Sequence, residues 1–338
     1  MQTDDEHKNV MVVEDDPDDQ LCGWRTLKRI GFRVGSHDNM DNALPTKRLV
    51  NSTEGIDITM IALTMAEKAT LLVLIAVVCV MMQSSSVNAA EAYSGGQQFD
   101  KFDLTTEATA TSGLHGMLGA GVFNGESILS DGGRKTAVRP LLFLRYEDWA
   151  YLSLRGAGVW LLQSADRSLR FGLGVSVHSG YNPYNEANLA GMDRRRSSLD
   201  GTVNLSWRTS IVAVSASYAH DIGDSSNGDS ASVRLSHGFI LSPRLRLTPS
   251  IMAQWESEKV VNYYYGVRPD EVLPDRPAYQ GRETTNYGAG LAADYRLTQA
   301  WSLLGDIRTT HFGSGITDSP IVVRKEATWG FIGAGWHF

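Results

Sequence analysis

Histidine and serine are the residues of this chain whose types could support hydrolysis or metal binding. The histidines beyond residue 170 do not show a metal-ligand spacing such as H-x-x-x-H; they are His178, His220, His237, His311 and His337. His178 and Ser179 are adjacent, but neighbouring residues of a strand point to opposite faces, so they cannot form a nucleophile–base pair. The sequence therefore predicts a protein that is not an enzyme and that has no cofactor and no metal site.

Charged side chains recur at alternating positions within otherwise apolar runs. Inside a pore, such side chains either select solutes at a constriction or form salt bridges that hold a narrow barrel shut. We favour the salt-bridged interior and keep the constriction as the alternative. The residues are Arg234, Arg244, Arg246, Arg296 and Arg308, with Asp200, Asp294, Asp306 and Glu256.

The elements that must position these charges are β-strands. In "LDGTVNLSW" (199–207), Leu199, Val203 and Trp207 share one face and Asp200 and Asn204 share the other. Such runs are about ten residues long, which suffices for a tilted strand to cross a bilayer. Tight connections alternate with long polar ones, and aromatic residues lie near strand ends. The pattern predicts an all-β fold, a transmembrane antiparallel β-barrel over 113–338 with short periplasmic turns and long outer loops.

The number of strands follows from a parity argument. Eleven runs can be counted, whereas single-chain bacterial barrels usually have an even number of strands. The run 149–163 contains Gly156-Ala157-Gly158, and glycines within a strand often mark a bend or break. We therefore expect twelve strands, with ten as the alternative.

The last residues of the chain look like a barrel-assembly signal. Ile332, Ala334, Trp336 and Phe338 share one face of the final run, and the chain ends on an aromatic residue. A soluble protein gains little from a bare terminal phenylalanine. We therefore expect the barrel assembly machinery to recognise this strand.

An export signal lies inside the chain. From Met65 the sequence reads "MAEKATLLVLIAVVCVMMQSSSVNAAEA", a basic start, a short apolar stretch and small residues before a cleavage position after Ala89 or Ala90. We expect residues 65–89 to be removed and 90–112 to be a flexible N-terminal segment.

Residues 1–64 resemble a truncated response-regulator receiver, with Ala62 where the phospho-accepting aspartate belongs. This resemblance indicates a start assigned too early or a fusion. The net charge of −7 gives no reason to expect nucleic-acid binding.

A series of short motifs, in order, carries a family resemblance. "VRPLLFLRYEDWAYLSLRGAGVWLL" (138–162), "NYYYGVRPDE" (262–271), "RPAYQG" (276–281), "NYGAGLAADYRLTQAWSLLGDIR" (286–308) and "DSPIV" (318–322) resemble the MipA/OmpV family of outer-membrane proteins. The resemblance implies an outer-membrane location. It also implies an envelope scaffold, because the family's namesake interacts with the lytic transglycosylase MltA and with a murein synthase. Other members are described as porin-like, so a passive channel for small solutes is the alternative.

Two outer loops contain candidate contact residues. The long loop 260–280 holds Tyr263, Tyr264, Tyr265, Arg268 and Tyr279, which either face a ligand or a partner or simply pack as part of the loop. The basic run "DRRRSS" (193–198) either contacts lipopolysaccharide phosphates or is solvated.

Overall fold

The computed structural model describes residues 9–10, 33–34, 46–48, 58–61, 113–129 and 134–338. The predicted signal peptide over 65–89, its cleavage positions Ala89 and Ala90, and the segment 90–112 lie outside the described residues. Within the receiver-like segment, Asn9–Val10 pairs in parallel with Arg33–Val34, and Thr46–Arg48 pairs antiparallel with Ile58–Ile61.

The described residues from 113 onward form twelve antiparallel strands. They are β1 (Leu114–Glu126), β2 (Arg134–Tyr146), β3 (Ala150–Ser153), β4 (Gly156–Ser164), β5 (Leu169–His178), β6 (Ser198–Arg208), β7 (Ala213–Asp221), β8 (Asp229–Ser236), β9 (Leu245–Glu256), β10 (Thr284–Arg296), β11 (Trp301–His311) and β12 (Glu326–His337). A short continuation of β8, Phe239–Ser242, also pairs with β9.

The strands close into a barrel because β12 pairs with β1 as well as with β11. The expected twelve strands are confirmed. The break in the run 149–163 falls at Leu154–Arg155, just before Gly156, so this run forms the hairpin of β3 and β4. β3 is only four residues long, and it pairs with just the last four residues of β2.

Alternating burial separates the inner face from the outer face of each strand. Along β11, Ser302, Leu304, Asp306, Arg308 and Thr310 are buried and point inward, while their neighbours in sequence are more exposed and point outward. Outward-facing aromatic residues lie near both ends of the barrel; they include Trp207, Tyr295 and Trp301 at one end and Tyr218 and Tyr287 at the other. These two bands match the interfacial girdles of an outer-membrane barrel.

The inner face is apolar along one wall. Met117, Phe123, Leu304, Trp329 and Phe331, from β1, β11 and β12, pack together inside the barrel. A Cβ atom on Gly121 would lie 2.4 Å from the ring of Phe331, so the absence of a side chain there makes room for that ring. This wall fills part of the interior.

Helices occur only in the outer loops of the described barrel. α1 (Glu258–Tyr265) and α2 (Ser314–Thr317) lie there with three short 3₁₀ turns, Pro183–Asn185, Ala187–Leu189 and Pro269–Glu271. Among the described residues, no helix is long and apolar enough to cross a membrane.

Candidate functional site: the capped interior of the barrel

A cap of four outer loops covers one end of the barrel. Its core combines residues from the loops after β1, β5, β9 and β11, and these side chains are buried; they include Ile128, Leu129, Leu189, Val261, Tyr264, Tyr265, Ile316 and Ile321. These loops are long because each must reach over the barrel opening to the others. The cap closes the extracellular end of the interior with a hydrophobic core of its own.

A buried ion pair connects two of the cap loops. The guanidinium of Arg195 donates to both oxygens of Glu271, each at 2.7 Å, and both side chains are almost fully buried. Glu271 also accepts hydrogen bonds from the backbone N–H groups of Asp193 and Arg268. Burial alone would raise the pKa of Glu271, but these hydrogen bonds outweigh it and lower the pKa to about 2. Arg195 is thus the one arginine of the basic run 193–198 that is buried, whereas Arg194 and Arg196 are exposed.

The structure divides the outer-loop tyrosines between the cap core and the loop surface. Tyr264 stacks on His178 with ring centroids 4.3 Å apart, and Tyr265 is fully buried. Tyr263 is partly buried and accepts a hydrogen bond from the backbone N–H of Arg196. The tyrosines of "NYYYG" therefore take part in packing the cap.

Two further candidates from the same loop lie nearer the surface. The hydroxyl of Tyr279 donates to the carbonyl of Gly315 at 2.8 Å. Arg268 pairs with Asp193 at 3.0 Å, and both side chains are substantially exposed. Arg268 is thus the one of the five candidate contact residues that the structure leaves open to a ligand or partner outside the cell.

The predicted interior charges fall into two groups. In the upper group, Arg308 donates to both carboxylate oxygens of Asp306 at 3.0 and 3.2 Å, and its guanidinium lies 5.6 Å from the ring centre of Trp329. Arg234 is buried nearby, with one nitrogen 3.7 Å from the sulfur of Met252. The ion pair of this group thus lies within one strand, two residues apart.

The lower group lies at the periplasmic end. Arg246 on β9 lies directly opposite Asp294 on β10. Arg244 and Arg296 are exposed where these two strands meet, and the N–H of Arg296 donates to the carbonyl of Arg244. Charges therefore line the end that the cap does not cover.

A small polar cavity remains in the middle of the barrel. Its volume is about 140 Å³, and hydroxyl, amide and charged side chains line much of it; they include Asp200, Thr202, Asn204, Ser217, Ser232, Arg234 and Gln254. Asn204 links two of its neighbours, donating to Thr202 and accepting from Ser217, both at 2.9 Å. A cavity of this size holds several waters or a small solute.

Sequence reasoning missed four inward-facing arginines. Arg145 lies opposite Tyr151, which lines the cavity, and Arg170 lies opposite Ser206, two residues from Asn204 and from Arg208. Arg139 lies opposite Gly121, on the inner face of β1. Cross-strand partners share a face, so all four arginines point inward. The alternation that identified Arg246 and Arg308 could have found them. Within the described ranges, no group of three or more histidine, cysteine or acidic residues could hold a metal ion.

A closed twelve-stranded barrel with an apolar outer surface, two aromatic bands and long loops on one side is an outer-membrane β-barrel. The chain belongs to the family described as MltA-interacting protein MipA, whose model matches residues 118–338. The family resemblance and the outer-membrane location are thereby confirmed.

Relatives of the chain are outer-membrane proteins. The chain is 29% identical to the outer membrane protein Omp26La of Vibrio anguillarum over 150 residues, which are 44% of this chain and 57% of that protein. It thus spans little more than half the length of that relative. It is 30% identical to the MltA-interacting protein of Escherichia coli (strain K12) over 217 residues, 62% of this chain and 84% of that protein.

Similarity to solved structures is weaker. An outer membrane channel from Pseudomonas putida F1 matches with a TM-score of 0.37 and 13% identity, over 68% of this chain and 97% of that one.

Proposed function

We propose that the protein is a non-enzymatic scaffold that links the outer membrane to murein-lytic and murein-synthesising enzymes. The observation that carries this proposal is the closed outer end. The cap has its own buried core and a buried ion pair, and the interior is partly filled by Trp329, Phe331 and the Asp306–Arg308 pair. A barrel built in this way is better suited to presenting its periplasmic end to partners than to passing solutes.

The relative from Escherichia coli supports a murein partner, because it is named for its interaction with MltA. On this proposal, the lytic transglycosylase and a murein synthase bind the periplasmic turns. The turn between β6 and β7 offers an apolar contact, since Ile211 is 76% exposed. At the opposite end, the proposal assigns lipopolysaccharide to the exposed Arg194 and Arg196 of the cap, and the barrel assembly machinery to the strand ending at Phe338.

Co-purification tests the scaffold. The tagged protein should retain a lytic transglycosylase from its own cells, and Ile211→Asp should reduce the retained amount. The matched control is Val272→Asp, an exposed apolar residue of the outer loops, which should retain as much enzyme as the wild type. Absence of the enzyme from the wild-type sample, or an equal loss in both variants, would contradict the proposal.

A passive channel for small solutes is the second candidate. The polar cavity of about 140 Å³ and the charges at the periplasmic end favour it. Planar-bilayer recording separates the two functions: the scaffold should show no sustained conductance with the cap intact. Steady single-channel currents that change with Arg234→Gln, a residue lining the cavity, would support the channel instead.

A further inference from the structure

The interior of the barrel holds two buried carboxylates without a basic partner. Asp200 on β6 is buried, and its Oδ1 accepts a hydrogen bond from the hydroxyl of Ser198 at 2.6 Å. Its second oxygen, Oδ2, has no partner among the described residues. Glu256 on β9 is 1% exposed; its Oε1 accepts from the amide of Gln254 at 2.9 Å, and its buried Oε2 has no partner in the same range. No lysine or arginine of the described barrel pairs with either acid.

Strand register places both acids near the outer end of the polar cavity. Asp200 lines the cavity, and Glu256 is level with Thr202, two residues from Asp200 on the same face of β6. Arg234 also lines the cavity, but it is level with Ser206, six residues nearer the periplasm and roughly 20 Å from Asp200 along the strand. A buried carboxylate without a counter-ion is costly. The outer end of the cavity therefore carries negative charge that a small cation can neutralise.

A row of polar side chains crosses the cavity below the acids. Its members are successive cross-strand partners on β6, β7, β8 and β9, and all of them line the cavity; they are Asn204, Ser217, Ser232 and Gln254. Asn204 is four residues from Asp200, about 14 Å along the strand, a span that two side chains and a short ligand can bridge. Ser217 donates to Asn204, and its oxygen can still accept a hydrogen bond. The row is thus placed to meet hydroxyl groups of a ligand whose charged end lies at Asp200.

We propose that this cavity binds a small hydroxylated amine. The ammonium group pairs with Oδ2 of Asp200 through a charge-assisted hydrogen bond, and Ser176, directly opposite Asp200 on β5, offers it a hydroxyl oxygen. The hydroxyls of the ligand bind the row that contains Asn204 and Ser217. The volume of about 140 Å³ suits a ligand of about six non-hydrogen atoms, because a cavity of about 150 Å³ holds one benzene molecule. The site lies inside the barrel and does not depend on a murein enzyme binding the periplasmic turns.

Three related ligands separate the contribution of the charge from that of the hydroxyls. 2-Amino-1,3-propanediol carries both, glycerol has a hydroxyl in place of the ammonium group, and 2-aminopropane has the ammonium group without the hydroxyls. The protein is purified from outer membranes in detergent, and binding of each ligand is measured by ligand-observed NMR titration at neutral pH. We expect the amino diol to bind at least tenfold more tightly than either of the other two.

A matched pair of variants locates the site. Asp200→Asn keeps the shape of the side chain and removes its charge, so it should weaken binding of the amino diol at least tenfold and leave that of glycerol unchanged. Asp294→Asn makes the same change at the periplasmic end of the barrel and should bind all three ligands like the wild type. Heat-modifiable mobility on gels shows that each variant is folded.

Glycerol binding as tightly as the amino diol would overturn the proposal, because the cavity would then recognise hydroxyls alone. Equally tight binding of 2-aminopropane, or no measurable binding of the amino diol, would overturn it as well. So would unchanged binding in folded Asp200→Asn, or an equal loss in Asp200→Asn and Asp294→Asn. The comparison of the three ligands on the wild-type protein is decisive even where Asp200→Asn does not fold.

Discussion

Replacement of Glu271 by glutamine should open the outer cap without unfolding the barrel. The glutamine side chain keeps the size of glutamate but loses its charge, so the guanidinium of Arg195 becomes a buried charge without its counter-ion. Glu271 accepts four hydrogen bonds that connect two separate loops, two from Arg195 and one each from the N–H groups of Asp193 and Arg268. The cap is therefore expected to lose its buried ion pair between the loops after β5 and β9.

The size of the effect follows from burial. Breaking a buried ion pair by removing one partner costs about 3–5 kcal/mol, whereas an exposed pair contributes about 0–1 kcal/mol. Arg195 and Glu271 have side-chain exposures of 1% and 2%, so the first range applies. The side chains of the Arg282–Asp318 ion pair are 67% and 52% exposed, so the second range applies to that pair. Asp318→Asn is therefore the matched control in the same cap.

The cost should appear as local opening, since β-strand pairing holds the barrel independently of the cap. Amide hydrogen exchange of the cap, at Asp193 and Arg268 in particular, should accelerate roughly a hundred- to several thousandfold in Glu271→Gln. Exchange within β11 should remain unchanged. The double variant Arg195→Met with Glu271→Leu should recover much of the loss, because it removes both charges together.

Acid should produce the same opening. The pKa of Glu271 is lowered from its usual 4.5 to about 2 in the folded cap. A lowered folded-state pKa gives stability that is complete above pH 4.5 and lost as the pH falls towards 2, amounting to at most about 3 kcal/mol. Cap exchange in the wild type should therefore rise over this interval, and in Glu271→Gln it should not. Equal exchange in wild type and variant at neutral pH, or a double variant no more stable than the single one, would refute the reasoning.

Three other predictions concern the barrel and its export. Ile251 on β9 points to lipid and is 59% exposed, so Ile251→Arg should cost about 2–4 kcal/mol of barrel stability, while Ser250→Arg on the inner face should be tolerated; heat-modifiable mobility on gels reports both. Deletion of Phe338 removes two backbone hydrogen bonds to Gly116 at the barrel seam, and it should reduce outer-membrane insertion without affecting secretion. N-terminal sequencing of protein from isolated outer membranes should begin at Ala90 or Glu91; recovery of residues 1–64 would contradict the export signal.

Alternation along the strands was enough to predict the barrel and the direction of its side chains. Arg246 and Arg308 were assigned to the interior from period two alone, because a strand has only two faces and one of them meets lipid. Because single-chain bacterial barrels usually have an even number of strands, parity indicated that the count of eleven was wrong, and the glycines made the run 149–163 the candidate for two strands. The exact break at Leu154–Arg155 had no such signal beyond the glycines that follow it.

The cap could not be predicted in the same way. Arg195 and Glu271 are 76 residues apart in loops without periodicity, and a basic run followed by an acidic turn resembles any solvated loop. Only the closure of β5, β6, β9 and β10 into one barrel brings the two loops together. Tyr264 and Tyr265 illustrate the same limit, because a row of tyrosines in a long polar segment indicates contact without indicating with what.

Pro140 shows how topology explains a residue that sequence rules disfavour in a paired strand. Gly116 makes both of its backbone hydrogen bonds to Phe338, just after the end of β12, so its backbone groups point away from β2. The direction of these groups alternates along a strand, so those of Ala120 also point away from β2, and the facing pair of Ala120 and Pro140 is not hydrogen-bonded. The nitrogen of Pro140 therefore points away from β1. β3 pairs only with β2 from Phe143 onward, and among the described strands none pairs with this edge at Pro140. No donor is lost at that position. At the outer end of β2 the chain meets the cap, where Lys135 pairs with Glu186.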